Sequence, residues 1–224
     1  MRQIKLMDQG LTPYTKALEL QNRLMTERIE GTIGDRLILL RHPPTITLGK
    51  SARKTDLLLS ETRLKGKGFE IVEVGRGGGI TYHGPGQVIL YPILDLRNHQ
   101  KDLRWYVHNL EKTMAHSVTE LGVDVETREG YPGLWVKNTQ TKLGSIGVQV
   151  QRWVTMHGLA LNVNLTHYRP TYIRPCGLNN VELASLSDYS EVNRNEVRAL
   201  LLENFSQLFK VQLEEPENEE ARVD

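Results

Sequence analysis

The sequence predicts a single α+β domain in which a mixed or antiparallel sheet is flanked by helices. Six or more short apolar segments are typical of strands, whereas only three segments have the three-or-four-residue apolar spacing of amphipathic helices. These helices do not alternate strictly with the strands, which argues against a doubly wound parallel sheet. The 224 residues suffice for one substantial core.

Three amphipathic helices are predicted. The first begins at Thr12-Pro13, interpreted as an N-cap residue followed by proline at the first helical position, and ends near Gly31. Asp102 caps the second helix, whose apolar residues recur every three or four positions until a glycine ends it. Asn193 begins the third.

The apolar segments between these helices predict the strands, which are 37–40, 45–48, 69–74, 88–96, 134–137, 142–150 and 153–163. The four residues between the fifth and sixth strands predict a hairpin. Regular alternation places Lys142 on the same, more apolar face as Ile146 and Val148, where an ammonium group is costly to bury. A lysine at a strand end whose ammonium reaches water is the alternative interpretation.

Charge is distributed unevenly along the chain. The net charge is +1, but residues 214–224 contain six acids and one arginine, and residues 1–213 contain 27 bases and 21 acids. We therefore expect a main domain over 1–213 and an acidic, disordered tail over 214–224. The mildly basic domain favours acidic partners, but its charge is too small to indicate nucleic-acid binding.

Several function classes are disfavoured by composition. No apolar run reaches the length of a membrane span, and the first residues lack the apolar stretch of a secretory signal. One cysteine cannot form an internal disulfide, and no cysteine–histidine cluster has the spacing of a zinc site. The sequence therefore predicts a cytoplasmic protein that binds neither membrane nor metal.

A glycine-rich segment, 76–87, is the first candidate for chemistry. Its glycines permit backbone angles closed to other residues and let a ligand approach the main chain. They are interleaved with side chains able to hold a ligand, which are Arg76, Thr81, Tyr82, His83 and Gln87. Neither the P-loop pattern nor the dinucleotide-binding fingerprint is present. A mobile surface turn is the alternative interpretation.

The single cysteine, Cys176, is the second candidate. It lies between a proline and a glycine, a turn-like setting that can expose the thiol, and nearby Arg174 could favour the thiolate. A lone cysteine is more often a small buried apolar residue. His83 and His157 are candidate bases, so a cysteine–histidine hydrolase also fits these residues.

Four segments together resemble the octanoyltransferase family of lipoate biosynthesis. They are RGGGITYHGPGQ at 76–87, KLGSIG at 142–147, HGLALN at 157–162 and PCG at 175–177. Each segment alone is a weak signal, but all four in this order are specific. The likeness extends from about residue 41 to about residue 188.

The resemblance implies the α+β catalytic domain shared by biotin and lipoate protein ligases. It also implies a two-step reaction. Cys176 takes octanoyl from acyl carrier protein as a thioester and passes it to a lysine of the lipoyl domains of 2-oxoacid dehydrogenases or of the glycine-cleavage H protein. Lys142 would be the partner of the cysteine. By the same resemblance, the substrate pocket would be lined by Arg76, Gly77, Gly78, Gly79, Ile80, Thr81, Tyr82, His83, Ser145, Ile146, Gly147, Gly158, Leu159 and Ala160. Because a thioester is already activated, no cofactor is expected.

Three other functions are consistent with the same residues. One is an amidotransferase that moves the acyl group from one lipoyl domain to another. The second is an ATP-dependent lipoate or biotin ligase on the same fold, which would tolerate Cys176→Ser. The third is a non-catalytic binding protein with a structural thiol.

Overall fold

The computed structural model describes residues 1–168, 171–177 and 180–214, and at Cys176 it describes the backbone alone. Within these residues the helices are α1 (Tyr14–Glu30), α2 (Glu61–Gly66), α3 (Leu103–Glu120) and α4 (Arg194–Phe209). The strands are β1 (Arg2–Leu11), β2 (Arg36–Arg41), β3 (Thr45–Leu48), β4 (Glu70–Glu73), β5 (Ile80–His83), β6 (Gln87–Ile93), β7 (Val125–Glu126), β8 (Gly133–Val136), β9 (Thr141–Gln151), β10 (Val154–Asn162), β11 (Glu182–Leu183) and β12 (Val211–Glu214).

Nine of these strands form one mixed sheet. Its order is β12-β1-β2-β6-β10-β9-β8-β7, and β11 pairs with β9. β1 runs parallel to β12 and β2, and β11 runs parallel to β9, while the pairs from β2 through to β7 are antiparallel. A second, small sheet has the order β4-β3-β5. The structure confirms the predicted α+β fold and its mixed sheet.

The large sheet separates two layers of the core. One face packs against α3 and α4, through residues such as Leu159 of β10 and Phe205 of α4. The opposite face packs against α1, through residues such as Tyr91 of β6 and Ala160 of β10. β4 contacts α1, so the small sheet lies on the α1 side as well. The space between the two sheets and α1 is where the candidate site lies.

Local capping signals predicted the C-terminal end of α1, both ends of α3 and the N-terminal end of α4, whereas α2 was not predicted. The Asp102 side chain accepts backbone hydrogen bonds from the first turn of α3, and Gly31 ends α1 in the left-handed region at φ 78°. The prediction that Thr12 caps α1 is wrong. Pro13 occupies the N-cap position, and the Thr12 hydroxyl donates a hydrogen bond to the Gln9 carbonyl instead, a local bond that competes with capping.

The parallel strands at one edge, β1 and β12, have no counterpart among the predicted strands. They join the two ends of the described chain, with Arg2 opposite Val211 and Lys5 opposite Glu214. Glu214, the first residue of the predicted tail, thus belongs to the sheet. The rest of that tail, 215–224, lies outside the described residues. None of the helices in the described ranges is long and apolar enough to cross a membrane.

Candidate active site

A narrow pocket lies between the large sheet, α1 and β5. It is lined by Tyr14, Arg76, Thr81, His83, Tyr91, the β9 segment 145–147 and the β10 segment 157–160. Its free volume is about 20 Å³, room for about one water molecule. The structure therefore brings Arg76, Thr81 and His83 of the first motif together with the residues predicted from the second and third motifs.

The remaining residues of the glycine-rich segment lie outside this lining. Ile80 and Tyr82 are buried in the core of the small sheet, as alternation along β5 requires once Thr81 and His83 face the pocket. The backbone of the segment still shapes the site, because the Gly77 amide donates to the Val148 carbonyl of β9 at 2.9 Å. The glycines Gly78 and Gly79 continue that loop, whose carbonyls accept from the residues after β3.

Arg76 is a buried, fixed cation at the pocket. Its Nη2 donates to the Thr47 carbonyl at 3.1 Å and to the Thr47 hydroxyl at 2.6 Å, and its Nη1 donates to the Gly77 carbonyl at 3.0 Å. A Cβ at Gly147 would lie 2.7 Å from the Arg76 Cδ. Glycine at 147 is therefore what lets the arginine side chain lie across β9.

Three buried histidines surround the pocket, and all three are neutral at pH 7. Burial lowers the pKa of His42 to about 4 and the pKa of His157 to about 3. Burial, His42 and Arg76 hold the pKa of His83 well below its ordinary value. A neutral imidazole accepts a hydrogen bond on one nitrogen and donates from the other.

Hydrogen bonding assigns the tautomer of His83. The Gln87 Nε2 donates to the Tyr82 carbonyl at 3.3 Å and to the Asn162 Oδ1 at 2.9 Å. The Gln87 Oε1 must then be the acceptor at 3.3 Å from the His83 Nδ1, so that nitrogen carries the hydrogen. The Nε2 of His83 is left as an acceptor beside the pocket.

The strand that carries Lys142 contains a β-bulge. Gly144 pairs with Leu134, but Lys142 pairs with Trp135, so Leu143 is an extra residue on β9. Such an insertion reverses the alternation of side chains across it. Leu143 accordingly packs in the core beneath α3 and α4.

The bulge decides which face of the sheet carries Lys142. Ile146 and Val148 pack against the α3–α4 core, whereas Ser145 and Gly147 line the pocket on the opposite face. Across the bulge, Lys142 joins the face of Ser145 and Gly147. The prediction that Lys142 shares a face with Ile146 and Val148 is therefore wrong, because regular alternation was assumed through a strand that is irregular.

Lys142 is only 2% exposed, and its ammonium group has a well-defined environment. Its Nζ donates to the Pro132 carbonyl at 3.0 Å and lies 4.9 Å from the centre of the Trp135 ring. Glu111 of α3 accepts from the Gly133 amide at 3.2 Å. Burial raises the pKa of Glu111, while the Gly133 bond and the Lys142 charge act in the opposite direction. Lys142 is therefore buried with its Nζ fixed by neighbouring groups, and the alternative of a strand-end lysine that reaches water is wrong.

The backbone of Cys176 lies in a single 3-10 turn, Pro175–Gly177, which packs against β5. Before the turn, the Arg174 amide donates to the Asp56 carbonyl at 2.8 Å, and Arg174 Nη1 lies 3.6 Å from the buried Asp56 carboxylate. Farther along the chain, Leu183 of β11 pairs with Lys142. Residues before the turn are therefore bonded to Asp56, and residues after it pair with Lys142.

The family of this chain follows from comparison with known proteins. The model of the lipoyl protein ligase A/B catalytic domain matches residues 13–206. This chain belongs to that family.

Relatives within the lipoyl protein ligase A/B family carry a more specific name. The chain is 36% identical over 204 residues to the octanoyltransferase of Clostridium kluyveri, covering 91% of this chain and 87% of the relative. It is 42% identical over 180 residues to the octanoyltransferase of Desulforamulus reducens, covering 79% of this chain and 77% of the relative. These relatives confirm the predicted family resemblance and place the chain among acyltransferases.

Solved structures share the fold of this lipoyl protein ligase A/B catalytic domain. The bipartite lipoate protein ligase of Thermoplasma acidophilum superposes with a TM-score of 0.71 at 16% identity, over 96% of this chain and 86% of that one. The biotin protein ligase of Aquifex aeolicus superposes with a TM-score of 0.51 at 12% identity, over 93% of this chain and 69% of that one. Both confirm the predicted ligase-type catalytic fold.

Sequence reasoning missed several buried polar residues around the pocket of this lipoyl protein ligase A/B domain. The His42 Nδ1 donates to the Thr12 carbonyl at 2.7 Å, and its Nε2 accepts from the Tyr91 hydroxyl at 3.0 Å. Tyr14 stacks on His83 with ring centres 5.7 Å apart. These residues come from α1, β6 and the connection after β2, and no spacing in the sequence links them. Among the described residues, no group of His, Cys, Asp and Glu could hold a metal ion.

Proposed function

We propose that this chain is an octanoyltransferase that carries the acyl group on Cys176 and delivers it to a lysine of a lipoyl-type acceptor domain. The observation that supports this most is the bulge at Leu143, which places buried Lys142 on the pocket face of the sheet. The turn that carries Cys176 packs against β5, whose Thr81 and His83 line the same pocket. These two observations support the proposal that Cys176 and Lys142 act in one site, although Lys142 is not itself among the residues that line the pocket.

The first step is thioester exchange. The Cys176 thiolate attacks the carbonyl of octanoyl-acyl carrier protein, a new carbon–sulfur bond forms, and the carrier thiolate leaves. Lys142 favours the thiolate of Cys176 by its charge and gives its proton to the departing carrier thiolate. Since one thioester replaces another, this step requires no nucleotide.

The second step forms the amide. The acceptor lysine attacks the acyl-enzyme as a neutral amine, the carbon–nitrogen bond forms, and the Cys176 thiolate leaves. Lys142, neutral after the first step, takes the proton that the amine loses, which restores the starting state. The proposed acceptors are the lipoyl domains of 2-oxoacid dehydrogenases and the glycine-cleavage H protein, and the proposed compartment is the cytoplasm.

Intact-mass measurement tests the acyl-enzyme. Mixing the protein with octanoyl-acyl carrier protein should add one octanoyl group that hydroxylamine removes, and Cys176→Ala should gain none. An adduct that persists in Cys176→Ala would refute the assignment of the nucleophile.

Donor assays separate this function from its neighbours on the same fold. An octanoylated H protein in place of the carrier tests the amidotransferase. Free octanoate with ATP tests the ligase. Transfer to an acceptor domain only from the carrier thioester is expected, whereas transfer only from octanoate and ATP would establish a ligase instead.

A further inference from the structure

The inner end of the pocket is closed by aromatic and imidazole rings. The outer end is partly exposed at Thr81 and Ser145, whereas Tyr14 and His157 at the inner end are each 1% exposed. We propose that His157, together with Tyr14, is the stop that sets the longest acyl chain the enzyme accepts. This inference rests on the proposed octanoyltransferase function.

Strand geometry gives the pocket a length suited to such a stop. On β10, Ala160 pairs with Ser145, Gly158 pairs with Gly147, and His157 follows at the next position. Three residues of strand from Ala160 to His157 advance about 10 Å, comparable with an extended octanoyl chain. Because the free volume of the pocket is only about 20 Å³, the lining side chains must move apart for an acyl chain to enter. Glycines face each other in the middle of this path, and the space over Gly147 is taken by Arg76, whose Cδ would lie 2.7 Å from an added Cβ. The Arg76 side chain therefore borders the path.

The backbone turns His157 into the path. Leu159 and Leu161 pack on the α3–α4 side, and regular alternation would send His157 to that side too. Instead its φ is 57°, a left-handed conformation that is uncommon outside glycine, and its ring contacts Tyr14 and Tyr91 on the α1 side. The Gln21 Oε1 accepts from the His157 amide at 2.7 Å, which helps to hold this conformation.

The closed end is also polar and firmly packed. The Tyr14 hydroxyl lies 3.4 Å from the His157 Nδ1, and Tyr14 packs against the rings of His42 and His83. The His157 Nε2 is buried without a hydrogen-bond partner among the described residues. Each methylene that enters the apolar part of the pocket strengthens binding roughly fourfold. A methylene beyond the stop would instead press on polar atoms, so this gain should end at His157.

The test compares acyl carrier protein loaded with hexanoyl, octanoyl, decanoyl or dodecanoyl groups. Single-turnover acylation of Cys176 is followed by intact mass for the wild type and for His157→Gly, which shortens the side chain and suits the positive φ. Wild-type rates should rise up to octanoyl and then fall. In His157→Gly the decanoyl-to-octanoyl rate ratio should increase roughly tenfold or more, because two further methylenes can be buried.

Two further variants keep the outcome decisive. His157→Asn should fold readily, since asparagine tolerates positive φ, and should raise the same ratio to a smaller extent. Lys210→Gly relieves an equal backbone constraint, φ 55°, at the end of α4 and should leave the ratio unchanged. Circular dichroism verifies folding of each variant.

The results separate the two proposals. If the wild type forms no acyl adduct with any chain, the proposed function fails. If it forms the octanoyl adduct but folded His157→Gly and His157→Asn keep its chain-length profile, the function stands and the stop is refuted. A uniform loss of rate at every chain length would show that His157 has only a structural role, which also refutes the stop.

Discussion

Gly133, which has no side chain, helps to position Lys142. A Cβ at Gly133 would lie 2.6 Å from the Lys142 Cε and 2.4 Å from the Gly144 carbonyl oxygen. The same residue donates its amide to Glu111, whose carboxylate interacts with the Lys142 charge. Gly133 therefore leaves the space in which the ammonium group lies.

Gly133→Ala should displace Lys142 and slow acylation of Cys176 by roughly a hundredfold, since misplacement of about 1 Å can cost that much. Gly130→Ala is the matched control, because Gly130 also has a positive φ but has no atom within 4 Å of its added Cβ. Stopped reactions analysed by intact mass give both rates. Equal rates in the two folded variants would remove Gly133 from the site.

Two substitutions separate the two proposed roles of Lys142, which are to stabilise the thiolate by its charge and to transfer a proton. Lys142→Ala should raise the pH midpoint for iodoacetamide alkylation of Cys176, because the cation that favours the thiolate is lost. Lys142→Arg keeps the charge but cannot give up its proton, so acylation should survive in part while transfer to the acceptor lysine stalls. An unchanged midpoint in folded Lys142→Ala would show that Lys142 does not activate the thiol.

At the scale of elements, the histidine cluster joins α1, β5, β6 and β10 and depends on remaining neutral. The pKa of His42 is lowered to about 4 and that of His157 to about 3, mainly by burial, whereas the unfolded chain binds these protons near pH 6.5. Below about pH 6.5 the unfolded state therefore binds more protons than the folded state. The stability that the two neutral histidines contribute should be fully present above that pH and should be lost as the pH drops towards 4.

When the pH is lowered from 6.5 to 5, proton binding by the unfolded chain should reduce the free energy of unfolding by about 2 kcal/mol for each of these two histidines. Urea unfolding at pH 7 and pH 5 measures the loss. His42→Gln should lessen the pH dependence, and His116→Gln, at an exposed position on α3, should not. If the free energy of unfolding changes equally between pH 7 and pH 5 in His42→Gln and in the wild type, His42 is not a source of the acid sensitivity.

On the scale of the whole molecule, exposed cations lie beside the candidate site. Lys50, Arg53 and Lys54 form one edge of a groove next to the glycine-rich loop, and the Lys50 amide donates to the Arg76 carbonyl at 3.0 Å. The Asp56 carboxylate in the same segment is buried, where it accepts from the Arg53 amide. The groove also contains exposed Glu73, so three cations and one acid remain on this surface. The Asp56 carboxylate lies 3.6 Å from Arg174, which brings the surface close to the turn that carries Cys176.

Reversing two of these charges, Lys50→Glu with Arg53→Glu, should slow association with an acidic acyl carrier protein about tenfold at low ionic strength. The difference should shrink in high salt, because exposed charges are screened. Lys16→Glu with Arg23→Glu, at exposed positions on α1, makes the same change in net charge and is the control. Association rates that match this control at low salt would contradict docking at the groove.

The sequence by itself determined the family, the α+β fold class, the β8–β9 hairpin and the caps of α3 and α4. Those features depend on neighbouring residues: motif order, apolar period, and side chains such as Asp102 and Asn193 that bond to the adjacent turn. Local physical chemistry suffices for them.

Only the tertiary structure decided how the site is assembled. The bulge at Leu143 turns Lys142 to the pocket face, and the positive φ of His157 turns its ring towards α1. Both arise where strands and helices that are distant in sequence pack together, and each reverses what regular alternation predicts. The parallel pairing of β1 with β12 likewise joins the two ends of the described chain. Sequence periodicity carries no record of such contacts, because pairing register and packing are settled between segments and not within them.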